Sequence, residues 1–230
     1  MAMIEKELIE HLERFVSRQR AERFDMVLSK RTDYITVLME NIYQPHNASA
    51  VLRTCDCFGI QEVNIIENSN EYQVNPDVAL GSDKWLTINK YNASGNNTLH
   101  AYNRLRERGY RIVATTPHED KGVSPAEFNI EKGKIALAFG TEMQGLSQQA
   151  VSEADDYIRI PMFGFTESFN ISVSAAIIIY ELITRLHNSD IYWQLNEEEK
   201  TAVKLDWLRN TIKRSDLIEK QFMDANSHHK

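Results

Sequence analysis

The sequence predicts an α/β domain on a mostly parallel sheet, flanked by helical extensions at its N- and C-terminal ends. Three observations carry this. Short apolar runs rich in β-branched residues alternate with segments of helical period between about residues 35 and 187, the pattern of strands buried on both faces and joined by crossover helices. Glycines follow two of the helical segments, at Gly59 and Gly109, where a helix commonly stops. Charge is dense at the ends: residues 1–35 carry seven Lys/Arg and seven Asp/Glu, and residues 196–230 again carry seven of each.

The elements follow in order. Ile4, Leu8, Leu12, Phe15 and Val16 recur at three- and four-residue steps, and no Gly or Pro interrupts residues 4–31, so that segment reads as one helix. ITVLM (35–39) is a buried strand, and residues 47–58 form a helix capped by Asn47. EVNII (62–66) is the next strand, followed by a polar stretch and a strand at 85–89. Residues 98–108 are helical and lead into a strand at 110–116, then a loop at 117–133 with two prolines and two glycines. KIALAFG (134–140) is the most apolar strand. Residues 147–154 form a short helix, 156–161 a strand ended by Pro161, and 170–187 a long helix. The tail, 196–225, is helical, with Leu205, Leu208 and Ile212 on one face.

Composition bounds the function. With 230 residues, 42% hydrophobic and 26% charged, the chain is an ordinary globular protein, not a disordered or collagen-like one. No apolar run approaches the roughly 18 residues of a membrane span, and the N-terminal segment lacks the apolar core of a signal peptide. The expectation is a cytoplasmic protein with no membrane partner. Cys55 and Cys57 point to different faces of a helix and are expected to stay reduced. No His or second Cys pair stands near them at ligand spacing, so no metal is expected. The net charge of −7 arises wholly within residues 36–195, with twelve basic and nineteen acidic residues. An RNA partner is therefore not excluded, because local patches set such contacts.

In parallel sheets ligands sit beyond the carboxyl ends of the strands, which directs attention to three turns. Gly140-Thr141-Glu142-Met143-Gln144-Gly145-Leu146-Ser147 nearly matches a phosphate-binding loop, but Leu146 stands where Lys is needed and Glu142 adds a negative charge. A triphosphate would be repelled. The turn is suited instead to close backbone contact with a neutral or cationic ligand. The turn from Ile160 to Asn170 enters the long helix; Ser168 or Asn170 is either its N-cap or a functional group. Phe163 and Phe165 in that turn are suited to wall an aromatic or apolar ligand. The segment Glu40 to Thr54 leaves a strand, turns at Pro45 and enters a helix. Arg53 there reads either as a solvated charge or, from its neighbours Ala50, Val51 and Leu52, as a buried Arg that needs a partner.

Together these segments resemble the SpoU/TrmH family of RNA ribose 2′-O-methyltransferases, within the SPOUT superfamily. Asn47-x-x-Ala50-x-x-Arg53-Thr54 is similar to its first motif. Phe139-Gly140-Thr141-Glu142-x-x-Gly145-Leu146-Ser147 is similar to its second, and Ile160-Pro161-Met162 through Glu167-Ser168-Phe169-Asn170-Ile171-Ser172-Val173-Ser174-Ala175-Ala176 to its third. Phe169 departs from the Leu usual there.

The resemblance implies a trefoil-knotted fold, S-adenosyl-L-methionine as cofactor, S-adenosyl-L-homocysteine as product, no metal, and a homodimer. Carried over by position, Thr115, Gly140, Ile160 and Phe169 line the cofactor site. Arg53 is catalytic, and Asn47, Glu142, Ser168 and Asn170 position it or the substrate. Ser172, Ser174, Ala175 and Ala176 allow close packing of the last core helix. The layout implies three parts: an N-terminal extension at 1–34, a methyltransferase core at 35–190 and a C-terminal extension at 191–230. It is similar to the branch that methylates guanosine 18 of the tRNA D-loop. The alternatives are another tRNA position, ribosomal RNA, or an RNA-binding protein without catalysis. In the extensions, Arg14, Arg18, Arg20, Arg23, Lys30, Arg31, Lys204, Arg209, Lys213 and Arg214 are candidates to hold tRNA phosphates. The competing reading is solvated faces with pairs such as Glu10–Arg14.

Overall fold

The computed structural model describes residues 2–117 and 122–227, so part of the 117–133 loop lies outside them. In chain order the elements begin with α1 (Ala2–Glu13), α2 (Arg18–Leu28), β1 (Ile35–Glu40), α3 (Pro45–Cys57) and β2 (Glu62–Ile66). Next come α4 (Pro76–Ala79), a 3-10 turn (Ser82–Trp85), β3 (Thr87–Tyr91), α5 (Asn97–Glu107) and β4 (Arg111–Thr115). The order closes with β5 (Ile135–Phe139), α6 (Gln148–Ser152), β6 (Asp156–Ile158), α7 (Ile171–His187), α8 (Glu197–Thr211) and α9 (Ser215–Ser227).

The chain divides into two units, Thr32–Trp193 and Met1–Arg31 together with Gln194–Lys230. The first is a six-stranded sheet in the order β3-β2-β1-β5-β4-β6, every pair parallel. β1, β2 and β5 are buried at every residue; this explains the unbroken apolar run of β5, while the buried polar residues Thr36, Asn64 and Glu62 of β1 and β2 are hydrogen-bonded. One face packs on α3 and α7 through Val37, Met39, Val51, Leu52, Ile178 and Leu182. The other packs on α5 and α6 through Leu38, Ala136, Ala138, Tyr102 and Ala150. Met39 lies level with Phe139 in neighbouring strands, so the turns after β1 and β5 leave the sheet side by side. β6 pairs with β4 on one edge. On its other edge the Val123 amide donates to Tyr157 O at 3.2 Å and the Arg159 amide to Val123 O at 3.0 Å.

In the terminal unit α1 packs on α8 and α9, and α2 on α8. The Phe24 and Trp207 rings meet edge-on at 5.6 Å, and the Arg31 guanidinium lies over Trp207 at 5.3 Å. A capping box of Asn196 and Glu199 starts α8.

Several boundaries differ from the sequence reading. Residues 4–31 are not one helix. The chain breaks after Glu13, and Ser17 starts α2 by accepting from the Arg20 amide; a serine inside a helical pattern is also a start signal. Asn47 does not cap α3. The helix opens one turn earlier at Gln44, with Pro45 at its first position, where a missing N–H costs nothing. β3 is displaced to Thr87–Tyr91 because Ser82–Trp85 forms the 3-10 turn. The tail is two helices, broken where Arg214 adopts a φ of 59°. Of the two cysteines, Cys55 lies in the core and Cys57, on another face of α3, is exposed instead of buried.

Candidate active site

The site is built at the carboxyl edge of β1, β4, β5 and β6. After β5 the chain closes a tight turn in which the Thr141 amide donates to Gly145 O at 2.9 Å and the Gly145 amide to Thr141 O at 3.0 Å. Gly145 takes a φ of +68°. Gly140 is required by close approach: a Cβ there would lie 2.0 Å from Gly145 C and 2.1 Å from Leu146 N. The result is a buried glycine on which the loop closes backbone to backbone, and a side chain there would force the loop apart.

The three motif segments meet through one buried amide. Asn47, only 2% exposed, donates from Nδ2 to Glu142 Oε1 at 2.8 Å and to Gln44 Oε1 at 3.2 Å. Its Oδ1 accepts from Asn170 Nδ2 at 3.1 Å. Asn170 also caps α7, its Oδ1 accepting from the Ser172 amide at 2.8 Å. Asn170 is therefore the N-cap of α7, and it also joins the cluster. A chain Asn170–Asn47–Glu142 links α7, α3 and the loop after β5 by hydrogen bonds.

The remaining residues are placed around it. The Thr115 hydroxyl donates to Ala138 O at 2.8 Å, tying the end of β4 to β5. Ile160 is half-buried and packs on the core. Phe169 is half-exposed, while Phe163 and Phe165 are fully exposed. Ser168 is exposed and makes no hydrogen bond among the described residues.

Arg53 departs from the burial its neighbours suggested. It is exposed and has no ion pair among the described residues. Adjacent positions in a helix differ by about 100° in direction. The buried stripe of α3 is Ala48, Val51, Leu52 and Cys55, and Arg53 falls outside it. No hydrogen bond or ion pair joins it to the Asn170–Asn47–Glu142 cluster among the described residues, and its exposed guanidinium is free to meet an anionic ligand.

Two residues went unnoticed in the sequence. Glu40, the last residue of β1, is buried. It accepts from the Ser147 amide at 2.8 Å, the Ser147 hydroxyl at 2.9 Å and the Thr98 hydroxyl at 2.5 Å. Asn41, with φ at 53°, accepts at Oδ1 from the Asn68 and Ser69 amides at 2.7 and 3.0 Å. The available signal was a carboxylate ending an otherwise apolar strand, just before a turn.

In the terminal unit the basic residues divide. Arg18 pairs with Glu22, Lys204 with Glu13 and Asp25, and Arg209 with Glu219 and Asp206. Arg31 is buried. Glu10 and Arg14 do not pair among the described residues. Arg14, Arg20, Arg23, Lys30, Lys213 and Arg214 are exposed.

A model of the SpoU rRNA Methylase family matches residues 34–180. The chain belongs to the SpoU methylase family. Its relatives extend beyond the core. A tRNA (guanosine(18)-2'-O)-methyltransferase of Borreliella burgdorferi is 42% identical over 212 residues, covering 90% of this chain and 93% of that one. One from Thermus thermophilus is 36% identical over 193 residues, covering 83% and 96%. Among solved structures, a TrmH/SpoU tRNA modifying enzyme of A. aeolicus superposes with a TM-score of 0.74 at 32% identity, covering 85% of this chain and 98% of that one. More distant SpoU folds include AviRb of Streptomyces viridochromogenes, solved in complex with the cofactor AdoMet, at 20% identity and a TM-score of 0.55.

Proposed function

We propose that this chain transfers a methyl group from S-adenosyl-L-methionine to a ribose 2′-hydroxyl of tRNA, at guanosine 18 of the D-loop. The observation that carries the reading is the Asn170–Asn47–Glu142 chain, which joins all three motif segments beside the Gly140 loop. The match to guanosine-18 enzymes over about nine-tenths of both chains supports the substrate.

The cofactor fits the residues present. Gly140 lets the 140–145 loop close backbone to backbone at the end of β5, where the cofactor would lie, and Thr115, Ile160 and Phe169 would supply flanking walls. The bound cofactor supplies an electrophilic methyl on a cationic sulfonium. The protein's task is then to bring the 2′-oxygen in line with that methyl, and orientation of this kind is worth about 10⁵ M or more in effective concentration. Arg53 binds a phosphate next to the target and the 2′-oxygen, stabilising negative charge as it develops. A guanidinium remains protonated at neutral pH, so charge stabilisation accounts for its role better than proton abstraction. Asn47, Glu142 and Asn170 hold the loops to one another, and Ser168 stands at the exposed rim toward the substrate.

The trefoil knot is part of the proposal. β6 pairs with β4 on one side and with the Val123 segment on the other. These two pairings support a threading of the C-terminal part of the core through the β4–β5 connection. Homodimerisation is supported by α7, where Val173, Ile177 and Tyr180 form one exposed stripe at steps of four and three. The core at 35–190 carries the chemistry. The extensions at 1–34 and 191–230 hold tRNA phosphates through the exposed Arg14, Arg20, Arg23, Lys30, Lys213 and Arg214. The setting is cytoplasmic.

Incubation with radiolabelled S-adenosyl-L-methionine and unmodified bulk tRNA, followed by mapping of the labelled ribose, tests the reading. Label at D-loop guanosine 18 is expected. Label at the wobble position or on ribosomal RNA keeps the chemistry and overturns the substrate, and cofactor binding without transfer to any RNA overturns the enzyme.

A further inference from the structure

Glu40 lies opposite the cluster described above, on the other face of the sheet. Leu38 and Glu40 point toward α5 and α6, as alternation along β1 requires, and Leu38 is in the core on that side. Met39 points toward α3 and α7 and is in the core there. Because Met39 is level with Phe139, Glu40 stands beside Gly140 at the start of the loop. The loop 140–147 therefore straddles the edge of the sheet. On the α3 side it is held where Glu142 accepts from Asn47. On the α5 side it is held where Ser147 donates twice to Glu40, through its amide and its hydroxyl.

A buried carboxylate is costly unless its oxygens are satisfied. Here both are: one takes the Ser147 amide, the other the hydroxyls of Ser147 and Thr98. Hydrogen bonds to a charged acceptor are shorter and stronger than neutral ones. The donors come from two separate elements, the start of α6 and the start of α5. Thr98 in turn accepts from Asn68 Nδ2 at 2.8 Å, and Asn68 is held by Asn41. The adjacent residues Glu40 and Asn41 thus fasten the loops on either side of β1, at 140–147 and at 67–70.

We propose that Glu40 is a positioning residue for methyl transfer, whose carboxylate clamps Ser147 so that the Gly140–Gly145 turn and Glu142 are held in place for cofactor and substrate. The proposal rests on the reading of the site as a methyltransferase centre. The consequence for Glu142 is mechanical. The loop is closed on itself between Thr141 and Gly145, so the turn moves as a unit, and releasing its far end at Ser147 lets that unit shift. A shift of about 1 Å at a reacting centre costs about 100-fold in rate.

The test compares Glu40→Gln with the unaltered full chain. The glutamine keeps the volume but removes the charge and exchanges one acceptor oxygen for a donor, so the Ser147 amide keeps its acceptor only if the Ser147 and Thr98 hydroxyls give up donating and accept instead. Four quantities are read: amide hydrogen exchange at Gly145 and Ser147, affinity for S-adenosyl-L-methionine, kcat on tRNA at saturating cofactor, and tRNA affinity without cofactor. The expected result is exchange at Ser147 faster by about tenfold or more, with exchange at Val37 and Leu137 unchanged. Cofactor affinity falls about tenfold and kcat about 10–100-fold, while tRNA affinity stays within about twofold. Wild-type cofactor affinity and kcat, with only the melting temperature lowered, overturn the proposal; so does equal acceleration of exchange throughout β1 and β5. If Glu40→Gln does not fold, Thr98→Val keeps the shape and removes the hydroxyl that donates to Glu40 and accepts from Asn68. It is expected to move cofactor affinity and kcat in the same direction by about threefold, and wild-type values there overturn the proposal. Exchange and cofactor affinity are independent of the RNA, so a wrong substrate leaves this test intact. A chain that transfers to no RNA fails the functional reading alone.

Discussion

Replacing Asn47 by Asp tests the cluster at its centre. The side chain is buried, with Nδ2 on Glu142 at 2.8 Å and Oδ1 on Asn170 at 3.1 Å. Asn47→Asp keeps the shape and the contact with Asn170 but sets a second carboxylate oxygen against Glu142. Two unit charges about 4 Å apart repel by about 4 kcal/mol at an effective dielectric constant of 20. Glu142 is partly exposed, so solvent screening lowers this to about 2 kcal/mol. Asn47→Ala loses hydrogen bonds without adding charge, at a cost of about 1–2 kcal/mol. The two variants are separated by pH. Repulsion is absent when one of the two carboxyls is protonated, and carboxyls in the unfolded chain ionise near pH 4. The folded Asn47→Asp protein holds a proton to higher pH than its unfolded chain. The repulsive part of its destabilisation is therefore absent only below about pH 4, where the unfolded carboxyls are themselves protonated, and grows as the pH rises until the pair is fully ionised. Urea unfolding followed by circular dichroism at pH 5, 6, 7 and 8, each referred to wild type at that pH, measures this. The alanine variant is expected to lose the same stability throughout, while the aspartate variant loses more at pH 8 than at pH 5. If both lose equal amounts at both ends, Glu142 does not accept from Asn47 and the cluster is wrong.

The other predictions concern single features. Gly140→Ala places a Cβ 2.0 Å from Gly145 C with only backbone to yield, so calorimetry is expected to show cofactor affinity lost by more than about 100-fold, near the cost of displacing a site by about 1 Å. Arg53→Ala is expected to change stability by no more than about 0.5 kcal/mol, as for an exposed site, while turnover falls; Arg53→Lys should not recover it, and near-normal rates in the lysine variant would exclude a specific guanidinium role. Lys204 is subject to burial, which lowers its pKa, but hydrogen bonds to Asp25 and Glu13 outweigh this and hold it above its ordinary value. Its contribution, about 1 kcal/mol, is present below about pH 10.5 and lost as pH rises through the folded value. The stability difference between wild type and Lys204→Met should close above that pH, and a difference constant to pH 11.5 refutes the pairing.

Much of this molecule is determined locally and was legible in the chain. Buried parallel strands are short, β-branched and mostly apolar, so ITVLM, EVNII and KIALAFG declared themselves. Gly140 and Gly145 marked a turn that needs bare backbone, and the spacing of three motifs identified the family. What escaped was whatever depends on direction or on a distant partner. Arg53 lies beside Val51 and Leu52 in sequence but off their face of α3, because neighbours along a helix point about 100° apart. Ser17 interrupts a helical pattern that composition alone lets continue. The acidic end of β1 looked like the start of a turn. Only the pairing of β1 with β5, which brings residues about a hundred positions apart level with each other, turns Glu40 into an anchor for Ser147. The same long-range pairing lets Asn47 join Glu142 and Asn170. The sequence by itself determined the strands, the turns and the kinds of side chain at the site. Tertiary structure alone decided which of them touch, because hydrogen bonds between remote segments follow from sheet order and register, and neither is written in local periodicity.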